Sequence, residues 1–326
     1  MNFAKNFVKS VLCCTALSVL SLSPVYAADY PNRSIKLIVP FGPGGITDII
    51  ARQVAKGLSE KLGQSVVIEN KPSAGHIVAL QTVARAKPDG YTILLGSNTG
   101  FTSTPHRYKN LDFDVNSFPV IAPINISPTV LLARPEFPAD SMTDFVKLAK
   151  SKPGVLNYGS FGVGTSAHLG MEIFKKDTGI EVTHVPYKGD APGIMALLSK
   201  EVDVVFNTLF SAQERIRSGE VKALGVLQAD RLVKYPSIQT MVEAGSKNAD
   251  MPVWIAFFAS PGTPKEIVKI LGDATRSVVS SAEFDEFLEK RGNIPMALSN
   301  EELLEFIRVQ SDRIGPIVGS LGLQAD

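Results

Sequence analysis

Residues 35–58 read IKLIVPFGPGGITDIIARQVAKGL and contain a strand, a glycine loop and the start of a helix in immediate succession. The apolar run Ile35–Val39 is typical of a buried strand, which the following prolines and glycines end. Apolar residues then recur at helical spacing from Ile49 to Leu58. Because the first amides of such a helix lack partners and lie at its positive end, the stretch favours a small anion as ligand.

The same stretch excludes two common nucleotide motifs. No Gly-Lys-Ser/Thr follows the glycines, and the GxGxxG spacing is absent, so neither a Walker loop nor a dinucleotide site is supported. Glycine turns between a strand and a helix also occur without any ligand. The purely structural alternative therefore stays open for this loop when it is considered alone.

The first 27 residues have the three parts of a secretory signal peptide. Lys5 and Lys9 form the basic start, residues 11–22 the apolar centre, and Val25-Tyr26-Ala27 the cleavage motif. The apolar centre has about 12 residues, whereas a spanning helix needs roughly 20. We therefore expect cleavage near Ala27 and a mature protein in the periplasm, with no retained membrane anchor.

Cysteine content and charge limit the possible functions. The two cysteines, Cys13 and Cys14, lie in the signal segment, so the mature chain has no thiol or disulfide. Its four histidines show no HxxxH or HExxH spacing, and we expect no metal site. Without Lys5 and Lys9 the chain has 31 basic and 32 acidic residues, a net charge of −1. This balance argues against nucleic acid and anionic membranes as partners.

Strand-like and helical patterns alternate along the rest of the chain, which indicates βαβ units and a mainly parallel sheet. Extended segments at 118–133 and 223–227 look like two crossings between lobes. We therefore predict an α/β fold with two lobes around a cleft. The predicted boundaries are a signal peptide at 1–27, the first lobe at 28–125, the second lobe at 126–228 and a return to the first lobe at 229–326.

Polar and glycine-rich residues gather at five places where predicted strands end. In open α/β sheets ligands bind outside the carboxyl ends of the strands, so two lobes would bring these loops together across a cleft. The five segments are 41–48, 97–100, 159–168, 187–190 and 207–208.

Motifs over essentially the whole mature chain resemble those of the periplasmic solute-binding proteins of tripartite tricarboxylate transporters, the Bug or TctC-like family. These motifs are Tyr30-Pro31, Val39-Pro40-Phe41 with Gly44-Gly45 and Asp48, Glu69-Asn70-Lys71-Pro72, Pro88-Asp89-Gly90-Tyr91-Thr92, Gly164-Thr165-Ser166-Ala167-His168-Leu169, His184-Val185-Pro186-Tyr187-Lys188-Gly189 and Pro261-Gly262-Thr263-Pro264.

The resemblance implies a Venus-flytrap fold, of the type II kind, that closes on a small carboxylate and passes it to membrane permease subunits. It also implies ligand contacts in the matching loops, where the amides of Gly164 and Thr165 and the hydroxyls of Thr165 and Ser166 would donate to the carboxylate. The predicted ligand-binding residues are Phe41, Gly44, Gly45, Thr47, Asp48, His76, Asn98, Thr99, Ser160, Gly162, Gly164, Thr165, Ser166, His168, Tyr187, Asp190 and Asn207.

Two positions depart from the family pattern. The family usually has Gly-Ala-Gly-Gly-Asn where this chain has Ser73-Ala74-Gly75-His76-Ile77. It usually has Phe-Asp where this chain has Phe206-Asn207, which replaces a negative charge with an amide that can donate and accept. We interpret His76 and Asn207 as residues that tune which carboxylate fits.

Several predicted site residues also have a structural interpretation. Asp48 fits a helix cap as well as it fits ligand contact. His168 and His184 are equally consistent with structural hydrogen bonding and packing, and His76 fits either the cleft or the surface.

Three functions remain open from the sequence. The first is a monomeric binding protein for a mono- or dicarboxylate that serves a permease without catalysis or cofactor. The second is a periplasmic sensor that feeds a signalling partner, since sensing would need the same closure. The third is a secreted hydrolase using Ser160 or Ser166 with a histidine, which the absence of GxSxG around either serine disfavours.

Overall fold

The computed structural model of the chain describes residues 30–324, so the predicted signal peptide and its cleavage site lie outside the described residues. These residues form two six-stranded sheets with helices packed on both faces. In chain order the strands are β1 (Ile35–Val39), β2 (Val66–Asn70), β3 (Thr92–Ser97), β4 (Val120–Ser127), β5 (Thr129–Ala133), β6 (Asn157–Ser160), β7 (Thr183–Pro186), β8 (Val204–Thr208), β9 (Lys222–Val226), β10 (Gln239–Thr240), β11 (Val253–Ala259) and β12 (Ile294–Pro295).

The α-helices fill the connections between the strands, with short 3₁₀ turns at Ala74–His76 and Val115–Ser117 and a π-helical turn at Thr99–Ser103. In chain order they are α1 (Ile46–Leu62), α2 (Ile77–Ala84), α3 (Thr104–Arg107), α4 (Met142–Ser151), α5 (Ser166–Thr178), α6 (Asp190–Leu198), α7 (Leu209–Arg217), α8 (Lys265–Val279), α9 (Ala282–Glu289) and α10 (Asn300–Ser320).

The β1–α1 segment folds as its sequence predicts. Helix α1 buries Ile50, Val54 and Leu58, which recur every four residues and so lie on one face toward the first sheet. Gly63 ends the helix in the left-handed conformation, with φ of 67°. The glycine loop before α1 is therefore held between a buried strand and a firmly packed helix.

The two sheets have the same strand order, β2-β1-β3-β11-β4-β12 in the first and β7-β6-β8-β5-β9-β10 in the second. In each sheet the first three strands are parallel and the fourth runs in the opposite direction. The fourth strand arrives from the other sheet, since β5 follows β4 and β11 follows β10. The predicted α/β class is confirmed, but the sheets are mixed because each crossing strand enters in reverse.

The chain crosses between the sheets twice, and the two crossings lie side by side. Only Pro128 separates β4 of the first sheet from β5 of the second. The return comes just before Val253, which begins β11 and pairs with Ser127 at the end of β4. We use first lobe and second lobe for each sheet with the helices packed on it.

The return crossing differs from the prediction. Residues 223–227 were expected to carry it, but β9 occupies this segment and pairs with β5 inside the second sheet. Strand β10 then pairs with β9, and Met241 and Met251 lie in the core of the second lobe. The predicted boundary at 228/229 thus falls within the second lobe, because a two-residue strand and its loop carry too little pattern to be recognised in sequence.

Helix α10 packs on both lobes, whereas residues 229–326 were all assigned to the first. Its first half contributes Leu303 and Ile307 to the core of the first lobe. Its second half contributes Ile314 and Val318 to the core of the second. The helix thus spans the two lobes on the outside of the crossings.

We expect Ile314→Ala to lower the free energy of unfolding by about 2–5 kcal/mol, because it would leave a cavity in the core of the second lobe. Ile314 is 1% exposed, whereas Leu304 on the same helix is 48% exposed. Leu304→Ala is therefore the matched control, with an expected change below about 0.5 kcal/mol. Urea denaturation of both variants measures the difference. Equal and small losses would contradict the packing of α10 on the second lobe.

Candidate functional site

The carboxyl ends of the parallel strands in the two lobes face each other across a cleft. Asn98, directly after β3, donates a hydrogen bond from its side-chain amide to the Ser166 hydroxyl at the start of α5. Arg107 donates from Nη1 to the backbone oxygen of Val163, at 3.2 Å. Because β1 is the parallel neighbour of β3, the loop after β1 lies at the same edge. The loops predicted at 97–100 and 159–168 therefore come together, and the loop at 41–48 lies at the same edge of the first sheet.

The loop between β1 and α1 exposes its backbone to open space. Gly44 and Gly45 are exposed, and a Cβ added to either would meet no atom within 4 Å. Gly44 has φ of 87°, which a residue with a side chain adopts only with strain. Gly45 caps α1 in an extended conformation, so the first-turn amides of α1 point outward without helical partners. This end of α1 can approach an anion closely.

Asp48 holds this loop together. Its buried carboxylate accepts hydrogen bonds from the Gly44 amide at 3.0 Å, from Arg52 at 2.9 and 3.0 Å and from Asn70 at 2.9 Å. Burial opposes ionisation, but the bonds from Arg52, Gly44 and Asn70 outweigh it and hold the pKa of Asp48 below its usual range. The acceptor capacity of Asp48 is occupied by the protein, which favours the structural interpretation over ligand contact.

His76 connects the loops of the first lobe. Its ring packs edge-on against Phe41, with centroids 4.6 Å apart, and its Nδ1 lies 3.1 Å from the Ser97 hydroxyl. The residue has φ of 60°, the left-handed conformation for which the glycine of the family pattern is suited. Burial lowers the pKa of His76 to about 4, so the ring is neutral at pH 7. His76 is buried and supports Phe41 and Ser97, which excludes the surface position considered for it from the sequence.

The 160–168 loop uses several of its own donors. The Gly164 amide donates to His168 Nδ1 at 3.1 Å, and the Thr165 hydroxyl donates to the Gly162 oxygen at 2.7 Å. These two groups, predicted to bind the ligand, instead close the turn, which bends sharply at Gly162 with φ of 137°. Ser166 remains at the first position of α5, where its hydroxyl and the first-turn amides border the cleft.

A stack of aromatic rings lies behind this loop. His168 and His184 are stacked with centroids 4.0 Å apart, and Tyr158 covers the other side of His184 at 4.9 Å. The Ser160 hydroxyl lies 2.7 Å from His184 Nε2 and also 3.2 Å from the Gly162 oxygen. Among residues 30–324 no carboxylate forms a hydrogen bond with His184, so the serine–histidine pair lacks the third group of a hydrolase triad.

Both histidines of the stack are held neutral. Burial is the main reason that the pKa of His168 falls to about 3, and unfavourable Coulombic interaction of a protonated ring with His184, Lys175 and Arg107 adds to it. Burial also lowers the pKa of His184 to about 4, although Glu172 opposes the shift. His168 therefore acts as a neutral acceptor for the Gly164 amide, which is the structural role considered for it from the sequence.

Three predicted residues of the second lobe make structural contacts. The Tyr187 hydroxyl donates to Glu201 at 2.7 Å, and burial raises the pKa of Tyr187 to about 12. The Asp190 carboxylate accepts from the Thr208 hydroxyl at 2.5 Å. The Asn207 amide donates to the Asp190 backbone oxygen at 3.1 Å, while its own side-chain oxygen is buried without a partner. Asn207 alone of the three keeps a polar atom available.

Thr47 and Thr99 complete the predicted set at the edge of the first lobe. Thr47 is buried in the first turn of α1, and Thr99 begins the π-helical turn after β3. Two further residues were not among the predicted ligand-binding residues. Ser97, within the predicted 97–100 loop, holds His76, and Arg107 reaches the second lobe. The polar run that follows Asn98 could have drawn attention to Arg107, because it continues a predicted strand-end loop.

The described part of the chain lacks a membrane-spanning helix and a cluster of metal ligands. No helix between residues 30 and 324 is long and apolar enough to cross a membrane. The same residues contain no group of three or more histidine, cysteine, aspartate or glutamate side chains arranged to hold a metal ion.

Stability should fall at mildly acidic pH because folding keeps His168 and His184 neutral. Their pKa values are about 3 and 4 in the folded chain, against about 6.5 when unfolded. The unfolded chain thus binds more protons below pH 6.5. His168 costs about 1.4 kcal/mol per pH unit down to its folded pKa, and the more exposed His184 costs less because solvent screens its charge. Urea denaturation at pH 7 and pH 5 measures the loss, and His168→Gln should reduce it. If the free energy of unfolding of that variant falls as much between pH 7 and pH 5 as that of wild type, His168 is not a source of the pH dependence.

Comparison with known proteins gives the family. The model of the tripartite tricarboxylate transporter family receptor, TctC, matches residues 50–323. A UPF0065 protein of Bordetella pertussis is 61% identical over 310 residues, which cover 95% of this chain and 96% of that protein.

Solved structures with the same fold include three binding proteins. The periplasmic binding protein BugD superposes with a TM-score of 0.77 at 31% identity, over 91% of this chain and all of its own. An R. palustris protein solved with adipate superposes with a TM-score of 0.80 at 31% identity, over 90% of this chain and 99% of its own. MatC from Rhodopseudomonas palustris, with bound malate, superposes with a TM-score of 0.76 at 27% identity, over 89% of this chain and all of its own.

These matches extend over both lobes and confirm the predicted two-lobed periplasmic binding protein fold. The chain therefore belongs to the tripartite tricarboxylate transporter receptor family, whose members are periplasmic solute-binding proteins and not enzymes.

Proposed function

We propose that the mature chain works in the periplasm as a monomeric receptor that captures a small mono- or dicarboxylate between its lobes. It then delivers this ligand to the permease subunits of a tripartite tricarboxylate transporter. No cofactor takes part, and the residues around the cleft bind the ligand without chemical change.

The observation that carries the proposal is that each lobe presents a helix N-terminus at the edge of its sheet where Asn98 meets Ser166. Helix α1 begins behind the exposed glycines 44 and 45, and α5 begins at Ser166, which Asn98 of the first lobe contacts. Each helix end offers unpartnered amides and a positive partial charge. A carboxylate between them would be bound from both sides, which links binding to closure of the lobes.

The relatives support a carboxylate as the ligand class. Adipate is bound in the R. palustris structure and malate in MatC, and both molecules are dicarboxylates. These two proteins have the same fold as this chain and 31% and 27% sequence identity with it. They support a carboxylate as the ligand of this chain and leave the size of that ligand open.

We expect Thr47→Ala and Ser166→Ala each to weaken binding of the preferred carboxylate by about 1–3 kcal/mol, the usual effect of losing a hydrogen bond to a charged group. The preferred ligand is first identified by thermal shift with succinate, malate, adipate, hexanoate and benzoate. Isothermal titration calorimetry of wild type and both variants then measures the loss.

Ser151→Ala is the matched control, since Ser151 is exposed at the end of α4 and bonds only to the Leu148 oxygen among the described residues. Its affinity should equal that of wild type. Unchanged affinity in both cleft variants would contradict the site, and a panel without any binding carboxylate would contradict the function. Uptake of the same labelled acid, with and without this chain, by cells that carry the permease tests delivery.

Ligand binding should make the protein more compact. Within residues 30–324 the chain passes between the lobes at Pro128, just before Val253 and along α10, and we expect the lobes to rotate about the two strand crossings. Small-angle X-ray scattering should give a smaller radius of gyration with saturating ligand than without it. Identical profiles at saturation would contradict a hinged closure.

A further inference from the structure

Arg107 is the one cation that reaches from the first lobe to the ligand loop of the second, within the part of the chain the structure describes. Its Nη1 donates to the Val163 oxygen at 3.2 Å. A Cβ on Gly164 would lie 2.6 Å from Nη1 and 2.9 Å from Cζ of Arg107, so the guanidinium lies against the backbone of Gly164. Only glycine leaves room for this approach.

The charge of Arg107 is left without a counter-ion. No acidic side chain among residues 30–324 comes within 4.0 Å of its guanidinium nitrogens, and its Nε is buried with no hydrogen-bond partner. Most arginines of the chain are in ion pairs, such as Arg52 with Asp48 and Arg85 with Asp112. A buried N–H without a partner is costly, and an oxygen from a ligand would remove the cost.

The segment that carries Arg107 is fixed in place. Thr104, at the start of α3, donates to the Gly75 oxygen at 2.6 Å, and His106 lies 2.8 Å from the Ser311 hydroxyl of α10. Gly315 of α10 also packs closely against the His106 ring. Because both flanking residues are anchored, the guanidinium is held at the cleft before any ligand arrives, which reduces the entropy lost on binding.

We propose that Arg107 is the counter-charge for the second carboxylate of the ligand and so makes the site selective for dicarboxylates over monocarboxylates. The proposal rests on the proposed carboxylate-receptor function and narrows its ligand class. The helix ends at 44–48 and 166–168 hold one carboxylate through backbone and hydroxyl donors. The guanidinium beside Gly164 then binds the other with the paired N–H geometry that suits a carboxylate.

An alternative role for Arg107 is a simple latch that closes the lobes through Val163. A latch would stabilise the closed form equally for every ligand, because its bond to the Val163 oxygen does not involve the ligand. A counter-charge would instead affect only ligands that carry the second charge. Ligand pairs of equal length that differ by one charge therefore separate the two roles.

The test compares adipate with monomethyl adipate, and succinate with monomethyl succinate, by isothermal titration calorimetry. In wild type the dianion of the better-binding pair should bind about tenfold or more tightly than its ester. Arg107→Gln should remove this preference, with affinity for the ester changed by less than about threefold. Arg107→Lys, which keeps the charge without the paired geometry, should retain part of it.

Lys109→Gln is the matched control. Lys109 is exposed and lies two residues after Arg107, so this substitution removes the same charge outside the cleft. Its selectivity should equal that of wild type. Retained ester binding shows that Arg107→Gln is folded. An equal loss for dianion and ester in Arg107→Gln would assign the latch role and overturn the proposal, as would a wild type that prefers the esters. If the wild type binds none of the four probes and no acid of the wider panel, the receptor function itself is overturned.

Discussion

The structure depends on one constraint, which is that each sheet is completed by a strand arriving from the other lobe. Strand β5 enters the second sheet directly after Pro128, and β11 enters the first sheet at Val253, next to Ser127. Because both crossings lie at one place, the lobes are joined along a single axis. The parallel strands then present their carboxyl ends, and the loops that follow them, to the same cleft.

The chemistry of the cleft follows from which polar groups the loops use for themselves. Asp48, Gly164 and Thr165 form hydrogen bonds within their own turns and so shape the cleft walls. What remains on each wall is a helix start with unpartnered amides, together with the guanidinium of Arg107. All of these carry positive or partial positive charge, whereas the carboxylate of Asp48 is neutralised by Arg52. The cleft thus suits an anion although the whole chain is nearly neutral.

The sequence predicted the parts of the site that local patterns encode. The glycines after β1 and the 159–168 loop after β6 were found because a strand followed by glycine and a helix start is a local signal. The roles of His76 and Arg107 depend on contacts with Ser97 and Val163, which lie far away in the chain. The return crossing and the double packing of α10 were missed for the same reason, since helix periodicity does not reveal which lobe a buried face meets.

Few direct bonds hold the cleft shut, and this fits a receptor that must release what it binds. Across the cleft the described residues form the bond from Asn98 to Ser166 and the bond from Arg107 to Val163. The first of these bonds is buried and the second is exposed, and a hydrogen bond within a protein typically contributes about 0.5–1.5 kcal/mol. A ligand bound by both lobes would favour the closed form through its own contacts.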